Sequence, residues 1–240
     1  MRIALLIIDL FDYFHKKKII NFLKKKVKLN KINLFLDVGA HEGETIDLFC
    51  KNFHIKDLIS FEASPKNFKK LLSKKNFFQK KYKTTNIILE NLALGFENKK
   101  IKIKEFFESS SSTIQDIDKN SKYYKRKFRI LNLFGNNKVY EETDINITKF
   151  QDYLKRQNIN NIDFLKIDTE GYEYEIIKGL EEDVRNVKFI YFEHHYDLMI
   201  KKNYTFSDIN RILKVNNFKK VYKIKMPFRK VFEYIYQNDK

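Results

Sequence analysis

Cysteine is almost absent from the 240-residue chain, and long apolar runs are missing too. The single cysteine, Cys50, excludes a disulfide framework and is typical of a reducing compartment, so we expect a cytoplasmic protein. Cys50 falls on the predicted buried face of a helix, which favours a packing role over that of a nucleophile. No stretch approaches the length of a transmembrane span, and the apolar run at residues 3–8 lacks the cleavage site of a signal peptide.

Glycine, proline and tryptophan are scarce, with six, two and none, whereas lysine, asparagine, isoleucine and phenylalanine are abundant. Basic residues outnumber acidic ones by 48 to 31, which gives a net charge of +17. Such a charge suits an anionic partner such as nucleic acid or a membrane surface. The lysines are spread along the chain rather than gathered in one block. We therefore attribute the positive charge to the composition of an AT-rich coding sequence, and we keep binding of nucleic acid as the less favoured explanation.

Residues up to about 28 have the pattern of a basic amphipathic helix. Phenylalanine, isoleucine and leucine recur on one side, against lysines at 16–18 and 24–26. Docking of this helix on a membrane surface is one interpretation, and packing on the following domain is the favoured one. We therefore divide the chain into a helix at 1–30 and a catalytic domain at 31–240.

From residue 31 onward, strands alternate with helices, which predicts an α/β fold with a mostly parallel sheet covered by helices on both faces. Two consecutive strands at the end predict an antiparallel terminal pair. An irregular region at 108–142 is interpreted as an insertion over the acceptor side of the site. The predicted strands are 34–38, 58–62, 86–94, 101–106, 163–167, 187–192, 218–224 and 231–236; the predicted helices include 44–53, 147–157, 173–180 and 205–215.

Ligands of such sheets bind beyond the carboxyl ends of the strands. The first strand ends in residues 37–43, with the sequence DVGAHEG, where glycines allow a tight turn and close approach of a ligand. A dinucleotide-binding turn would carry glycine where this chain has His41 and Glu44, and the acidic residues would oppose a pyrophosphate. The turn therefore suits a ligand without phosphate, such as S-adenosylmethionine.

Carboxylates at the next strand ends extend this pattern. Glu62 lies 19 residues after Gly43, a spacing at which a carboxylate accepts hydrogen bonds from both ribose hydroxyls. On the third strand, Ala93 leaves room for an adenine face and Asn91 is placed to bind its edge, although an ordinary strand end explains both equally well.

Asp168 and His194 end two later strands, and both are expected at the reactive end of the ligand. Histidine has a pKa near neutrality, so His194 is the candidate general base, while Asp168 orients the acceptor or the donor amine. Glu170 follows Asp168 at the start of the next helix, where acidic groups also favour the helix dipole. A divalent cation held by Asp168, Glu193 and His194 is ranked lower, because no clustered ligand spacing supports it.

Four segments together resemble the FkbM family of methyltransferases: residues 37–43, the sequence FEASP at 61–65, the sequence NLA at 91–93 and the sequence KIDTEGYE at 166–173. The resemblance implies a Rossmann-like class I fold with a seven-stranded sheet and S-adenosylmethionine as methyl donor. It implies O-methylation of a sugar, glycan or small natural-product acceptor. The alternatives are a nucleic-acid methyltransferase and a non-catalytic cofactor-binding protein that docks on an anionic surface. By position, the cofactor contacts implied are Asp37, Gly39, Ala40, His41, Gly43, Glu62, Ala63, Asn91 and Ala93. The serine run at 109–112 is not mapped by the resemblance, and we expect Ser112 or Thr113 to touch the cofactor or the acceptor.

Overall fold

The computed structural model of the chain describes residues 2–106, 112–121, 124–125, 139–196, 199–227 and 229–239, and for residues 2–10 it describes the helical backbone alone. Most of the insertion expected at 108–142 therefore lies outside the described residues.

The described part folds into helices and strands that alternate as expected. The helices are α1 Arg2–Lys25, α2 Glu44–Cys50, α3 Pro65–Ser73, α4 Lys75–Lys81, α5 Phe150–Arg156, α6 Glu173–Gly179 and α7 Phe206–Val215, with a 3₁₀ turn at Glu181–Asn186. The strands are β1 Lys31–Val38, β2 His54–Phe61, β3 Asn86–Glu90, β4 Ala93–Gly95, β5 Lys99–Phe106, β6 Ser112–Thr113, β7 Asp116–Ile117, β8 Tyr140–Lys149, β9 Ile162–Ile167, β10 Val187–His195, β11 Ile200–Lys201, β12 Phe218–Lys225 and β13 Val231–Asn238.

A seven-stranded sheet forms the centre, in the order β12-β13-β10-β9-β1-β2-β3. Strands β3, β2, β1, β9 and β10 pair in parallel, whereas β13 runs antiparallel to both of its neighbours, β10 and β12. This confirms the predicted mostly parallel sheet with an antiparallel terminal pair. The last strand, β13, inserts between β10 and β12 instead of adding at the edge.

Helices cover both faces of this sheet, because the central strands are apolar on both sides. On one face, Leu36, Leu165 and Phe192 pack against α5, α6 and α7. On the other face, Phe35 and Phe164 pack against α1 to α4. Side chains along each strand alternate between these two cores, so neighbouring residues of one strand lie on opposite sides of the sheet.

Two predicted elements differ from the observed ones. The strand expected at 86–94 ends at Glu90, and Ala93 begins β4, which belongs to a separate four-stranded sheet in the order β4-β8-β5-β6. Asn91 fixes the break, since its side-chain amide donates to the carbonyl of Glu62 at 2.8 Å. The helix expected from residue 147 begins at Phe150, because Ile147 is still paired in β8 with both β4 and β5.

Candidate functional site

The carboxyl ends of β1, β2, β9 and β10 border a cavity of about 410 Å³. It lies where the chain, having wound outward from β1 to β3, returns to pair β9 with the other side of β1. Ligand-binding crevices of open α/β sheets form at this kind of reversal. The second sheet and the inner side of α1 complete the wall.

Gly39 makes the floor of the cavity where β1 ends. Its φ of 86° is a backbone conformation that glycine adopts without steric cost. A Cβ at this position would lie 1.8 Å from the backbone oxygen of Asp168, so the ends of β1 and β9 meet too closely for any side chain. The backbone N–H groups of Gly39 and Ala40 both donate to the carbonyl of Phe61 at 2.9 Å, which ties the turn to the end of β2.

His41 and Glu44 form the wall above this floor, and their side chains are joined at 3.0 Å between Nδ1 and Oε1. Burial opposes the charged imidazolium, but the hydrogen bond and the nearby carboxylates raise the pKa of His41 overall. Gly43 does not line the cavity. It caps α2 with φ 90°, and a Cβ there would lie 2.7 Å from the ring of Phe78, so this glycine serves the packing of α4.

Glu62 lies at the cavity beside the glycine turn, and its position is fixed by two backbone hydrogen bonds. The N–H of His41 donates to Oε2 at 2.8 Å, and the N–H of Ser64 donates to Oε1 at 2.9 Å. The side chain is 4% exposed, and burial raises its pKa to about 7 despite both hydrogen bonds. A carboxylate oxygen has two acceptor sites, so each oxygen retains one for a ligand hydroxyl.

Only some of the residues expected to face adenine line the cavity. Ala63 and Ala93 line the cavity, and so does Leu92, which the sequence pattern did not single out. Asn91 does not line it. Its amide instead donates to the backbone carbonyl of Glu62, so it helps to position the Glu62 carboxylate indirectly.

Lys166 connects two of the expected acidic residues. Its ammonium lies 3.5 Å from Asp37 and 3.2 Å from Asp168. Asp37 is fully buried and does not line the cavity, whereas Lys166 and Asp168 do. Although burial opposes the charged form, the two carboxylates hold the pKa of Lys166 above its usual range. Asp37 therefore supports Lys166, and Lys166 orients Asp168.

Glu170 and Glu193 face each other across His195. The Nε2 atom of His195 lies 2.8 Å from Oε1 of Glu193 and 3.1 Å from Oε2 of Glu170. Both carboxylates line the cavity together with Asp168. Burial and the negative charge of Asp168 hold the pKa of Glu193 well above its usual range, against the lowering effect of His195. A buried carboxyl group with a raised pKa is suited to accept a proton near neutral pH.

His194 lies on the other side of the sheet from this cluster. It does not line the cavity, and its ring packs against the rings of Tyr196 at 4.8 Å and of Tyr204 and Phe206 at 5.8 Å. Burial lowers its pKa to about 3, so the ring is neutral, and its Nδ1 atom has no hydrogen-bond partner among the described residues. Alternation along β10 explains the placement, because Glu193 and His195 take the cavity side and His194 takes the opposite one. This placement does not support the base role expected for His194.

Glu173 and Thr113 hold the loop that carries Glu170. Glu173 is fully buried and accepts hydrogen bonds from the N–H of Gly171 at 2.9 Å and from the hydroxyl of Tyr204 at 2.5 Å. The hydroxyl of Thr113 donates to the carbonyl of Glu170 at 2.8 Å. Both Ser112 and Thr113 line the cavity, and one of them was expected to touch the cofactor or the acceptor.

The inner side of α1 adds groups to the cavity that sequence reasoning did not place there. Asp12, His15 and Lys16 line it, and the imidazole of His15 contacts the carboxylate of Glu233 on β13. The hydroxyl of Tyr191 donates to the same carboxylate at 2.5 Å. The only sequence signal for this contact was a histidine within the apolar face of the helix.

The charge of the cavity is opposite to that of the whole chain. Seven carboxylates line it against three lysine and arginine side chains. No group of three histidine, cysteine or acidic side chains within the described ranges is arranged to hold a metal ion. The arrangement therefore favours a cationic or neutral ligand rich in hydrogen-bond donors.

Comparison with known families agrees with this geometry. The model of the methyltransferase FkbM domain matches residues 37–220, which include the carboxyl end of β1 and the whole of β2, β9 and β10. The chain belongs to the FkbM methyltransferase family. A search of curated proteins gave no match.

Solved structures show the same fold in other methyltransferases. An FkbM methyltransferase from Methylobacillus flagellatus KT superposes with a TM-score of 0.59 at 12% identity, over 90% of this chain and 46% of that one. This FkbM-family chain therefore spans less than half of that protein. The magnesium protoporphyrin IX methyltransferase of Synechocystis PCC 6803 with bound SAH superposes with a TM-score of 0.53 at 9% identity, over 97% of this chain and 85% of that one. The structure of the same enzyme with bound SAM superposes with a TM-score of 0.52 at 10% identity, over 96% of this chain and 81% of that one. These likenesses establish the Rossmann-like class I methyltransferase fold.

Proposed function

We propose that this chain is an S-adenosylmethionine-dependent methyltransferase that methylates a hydroxyl oxygen of a sugar, a glycan or a small natural product. The observation that carries the proposal is Glu62, whose two carboxylate oxygens are aimed by backbone N–H groups at a cavity floored by Gly39. We place the reaction in a reducing compartment such as the cytoplasm, in keeping with the single cysteine.

The residues present fit S-adenosylmethionine better than a phosphate-bearing cofactor. Glu62 retains an acceptor site on each oxygen for the ribose hydroxyls, and Ala63, Leu92 and Ala93 offer an apolar wall for adenine. Glu44 would repel a pyrophosphate, whereas the acidic lining suits a sulfonium and an amine. Bound SAH and SAM in the Synechocystis enzyme of the same fold support this assignment. When bound, the cofactor supplies an activated methyl group.

The protein's own task is then to align the acceptor and to accept its proton. Asp168, held by Lys166, and Glu170, held by Thr113, are placed to orient the acceptor hydroxyl. We assign the general base to Oε2 or Oε1 of Glu193 in place of His194, because Glu193 lines the cavity and its pKa is raised. His195, 2.8 Å away, would stabilise the ionised form of Glu193, and proton uptake from the acceptor hydroxyl would leave the Glu193 carboxyl group neutral.

The lining of the cavity argues against a nucleic-acid acceptor. Acidic side chains outnumber lysine and arginine in this lining and would repel a phosphodiester backbone, although the chain as a whole is strongly basic. A neutral polyol has no such penalty and offers hydroxyl donors to the carboxylates.

Transfer of a labelled methyl group from S-adenosylmethionine to fractionated cell extracts tests the proposal. We expect label in a glycan or small-molecule fraction, in a bond that resists alkaline hydrolysis as a methyl ether does and a methyl ester does not. The Glu193→Gln protein should label the same fraction far more slowly. Label confined to a nuclease-sensitive or an alkali-labile fraction would contradict the proposal.

A further inference from the structure

The outward side of α1 carries three exposed aromatic side chains within one turn. Phe11, Tyr13 and Phe14 are 42%, 58% and 49% exposed, whereas the next residue, His15, is buried. Large aromatic side chains are normally well buried, so a cluster of this kind marks a surface that meets something other than water.

Lysines continue the same side toward the end of the helix. Lys17, Lys18, Lys24 and Lys25 are all exposed, and the ammonium of Lys17 lies 5.9 Å from the centre of the Tyr13 ring. Over residues 11–25, the acidic residue of the helix is Asp12, which lines the cavity on the inner side. The outward side therefore combines aromatic groups with positive charge and carries no negative charge in this stretch.

The helix is also firmly attached to the domain by its inner side. Ile19, Ile20 and Leu23 are buried in the same core as Phe35 of β1. The ring of Phe22 stacks on Tyr222 of β12 with centres 4.2 Å apart. The outward aromatic groups are thus held at a fixed place on the surface.

We propose that the outward side of α1, defined by Phe11, Tyr13, Phe14 and the exposed lysines, docks on an anionic lipid bilayer. Aromatic and aliphatic groups of an interfacial helix enter the boundary between headgroups and acyl chains, while lysine ammonium groups remain among anionic headgroups. In the sequence upstream, apolar residues recur at positions 3, 6, 7 and 10, the helical spacing that leads to Phe14.

Two other occupants suit this surface less well. A second copy of the chain would bring four like-charged lysines against four others, which is unfavourable across an apolar contact. An RNA strand would bind the lysines. It would not explain why the aromatic side chains lie toward the N-terminal end of the helix, next to the apolar upstream sequence.

Docking would also bring the site to the lipid surface. His15, which follows Phe14, lines the cavity from the inner side of the same turn. An acceptor held at the bilayer would then be presented close to the wall that α1 contributes.

Vesicle flotation with the full chain tests the proposal, with vesicles of phosphatidylcholine alone and of phosphatidylcholine with about one third phosphatidylserine. We expect flotation with the anionic vesicles, reduced by added salt, and little with the neutral ones. An aromatic variant (Phe11→Ser, Tyr13→Ser, Phe14→Ser) and a charge variant (Lys17→Gln, Lys18→Gln, Lys25→Gln) should each lose about tenfold or more in partitioning.

Matched controls carry similar changes on exposed positions away from α1. One is Leu72→Ser with Phe77→Ser, and the other is Lys69→Gln with Lys80→Gln and Lys83→Gln, which removes the same net charge. Both should float as the unchanged chain does, and all variants should keep its melting temperature.

Four results would overturn the proposal. The first is failure of the unchanged chain to float, and the second is an equal loss in the control with three lysines replaced, which would make the effect one of net charge. The third is a dimer on gel filtration that the aromatic variant abolishes without any change in flotation. The fourth is loss of RNA binding in the α1 variants, measured by anisotropy, while their flotation is retained.

Discussion

A carboxyl group buried among other carboxyl groups is held closer to its neutral form than the same group in water. Glu193 is in this situation, since it is buried beside Asp168 and Glu170. Its environment thus gives an ordinary glutamate the property that the sequence had suggested for a histidine. The proposed chemistry depends on this pKa rather than on the residue type.

The pH dependence of turnover tests the role of Glu193. The deprotonated form accepts the proton, so kcat/KM should rise with pH through the raised pKa of this group, at a higher pH than for an ordinary glutamate. In Glu193→Gln, kcat should fall by about 100-fold or more and the rise should vanish. The assay uses the acceptor found by labelling, with Glu97→Gln, an exposed glutamate, as the control. An unchanged pH profile in Glu193→Gln would remove this residue from proton transfer.

His194 provides the complementary prediction. Its ring packs among aromatic groups on the far side of the sheet and is neutral at physiological pH. We therefore expect His194→Phe to keep kcat within about twofold of the unchanged chain, because a neutral group outside the cavity takes no part in proton transfer. A large loss of kcat at an unchanged melting temperature, measured on the same preparation, would restore His194 to the mechanism.

At the scale of single elements, α1 shares a hydrophobic core with the central sheet. The division at residues 1–30 and 31–240 is a proposal from the sequence, and Leu23 bears on it because this side chain is fully buried against β1 and its neighbours. A helix that shares a core with the central sheet should unfold together with it.

Leu23→Ala tests this coupling. Removal of a fully buried leucine should lower the free energy of unfolding by about 2–5 kcal/mol in a single denaturant transition. Lys25→Ala, an exposed change in the same helix, should alter it by less than about 0.5 kcal/mol. Two separate transitions, or an unaltered main transition in Leu23→Ala, would show that α1 is an independent unit.

Most elements could be predicted from the sequence, because apolar runs and glycine turns act locally. Pro65 after Ser64 is an example of such a local signal, since the hydroxyl of Ser64 accepts a hydrogen bond from the N–H of Asn67 and caps α3. Strand β8 was not predicted, because its pairing with β5 joins residues about 40 positions apart and gives no local periodicity. The same limit hid the break after Glu90, which depends on a contact between Asn91 and the distant Glu62.

In the candidate site, too, local features could be predicted from the sequence and long-range contacts could not. Strand ends could be predicted, and Gly39, Glu62 and Asp168, which lie at or just after them, line the cavity. The side of the sheet on which His194 lies could not be predicted, because the sequence at the end of a strand does not show which face each side chain takes. The contribution of His15 was also out of reach, since it requires knowing where α1 packs.

At the scale of the whole molecule, a basic exterior surrounds an acidic cavity. The net charge of +17 is spread over the surface, whereas carboxylates dominate the lining. No helix in the described ranges is long and apolar enough to cross a bilayer. In our proposals this contrast separates two tasks: the surface charge attracts an anionic bilayer, and the acidic cavity favours a cationic cofactor and a neutral acceptor.

The proposed function depends most on the ribose contact that we assign to Glu62 at the glycine turn. Isothermal titration of S-adenosylhomocysteine into the full chain measures this directly, with Glu62→Gln beside Glu97→Gln as the exposed control. We predict binding at one site per chain, weakened by about tenfold to a hundredfold in Glu62→Gln and unchanged in the control, because the amide replaces a charged acceptor. Affinity should also rise between pH 6 and 8 in the unchanged chain as Glu62 ionises near its pKa of about 7, more steeply than in Glu62→Gln. Absence of binding, or equal affinity in Glu62→Gln and the unchanged chain, would contradict the account.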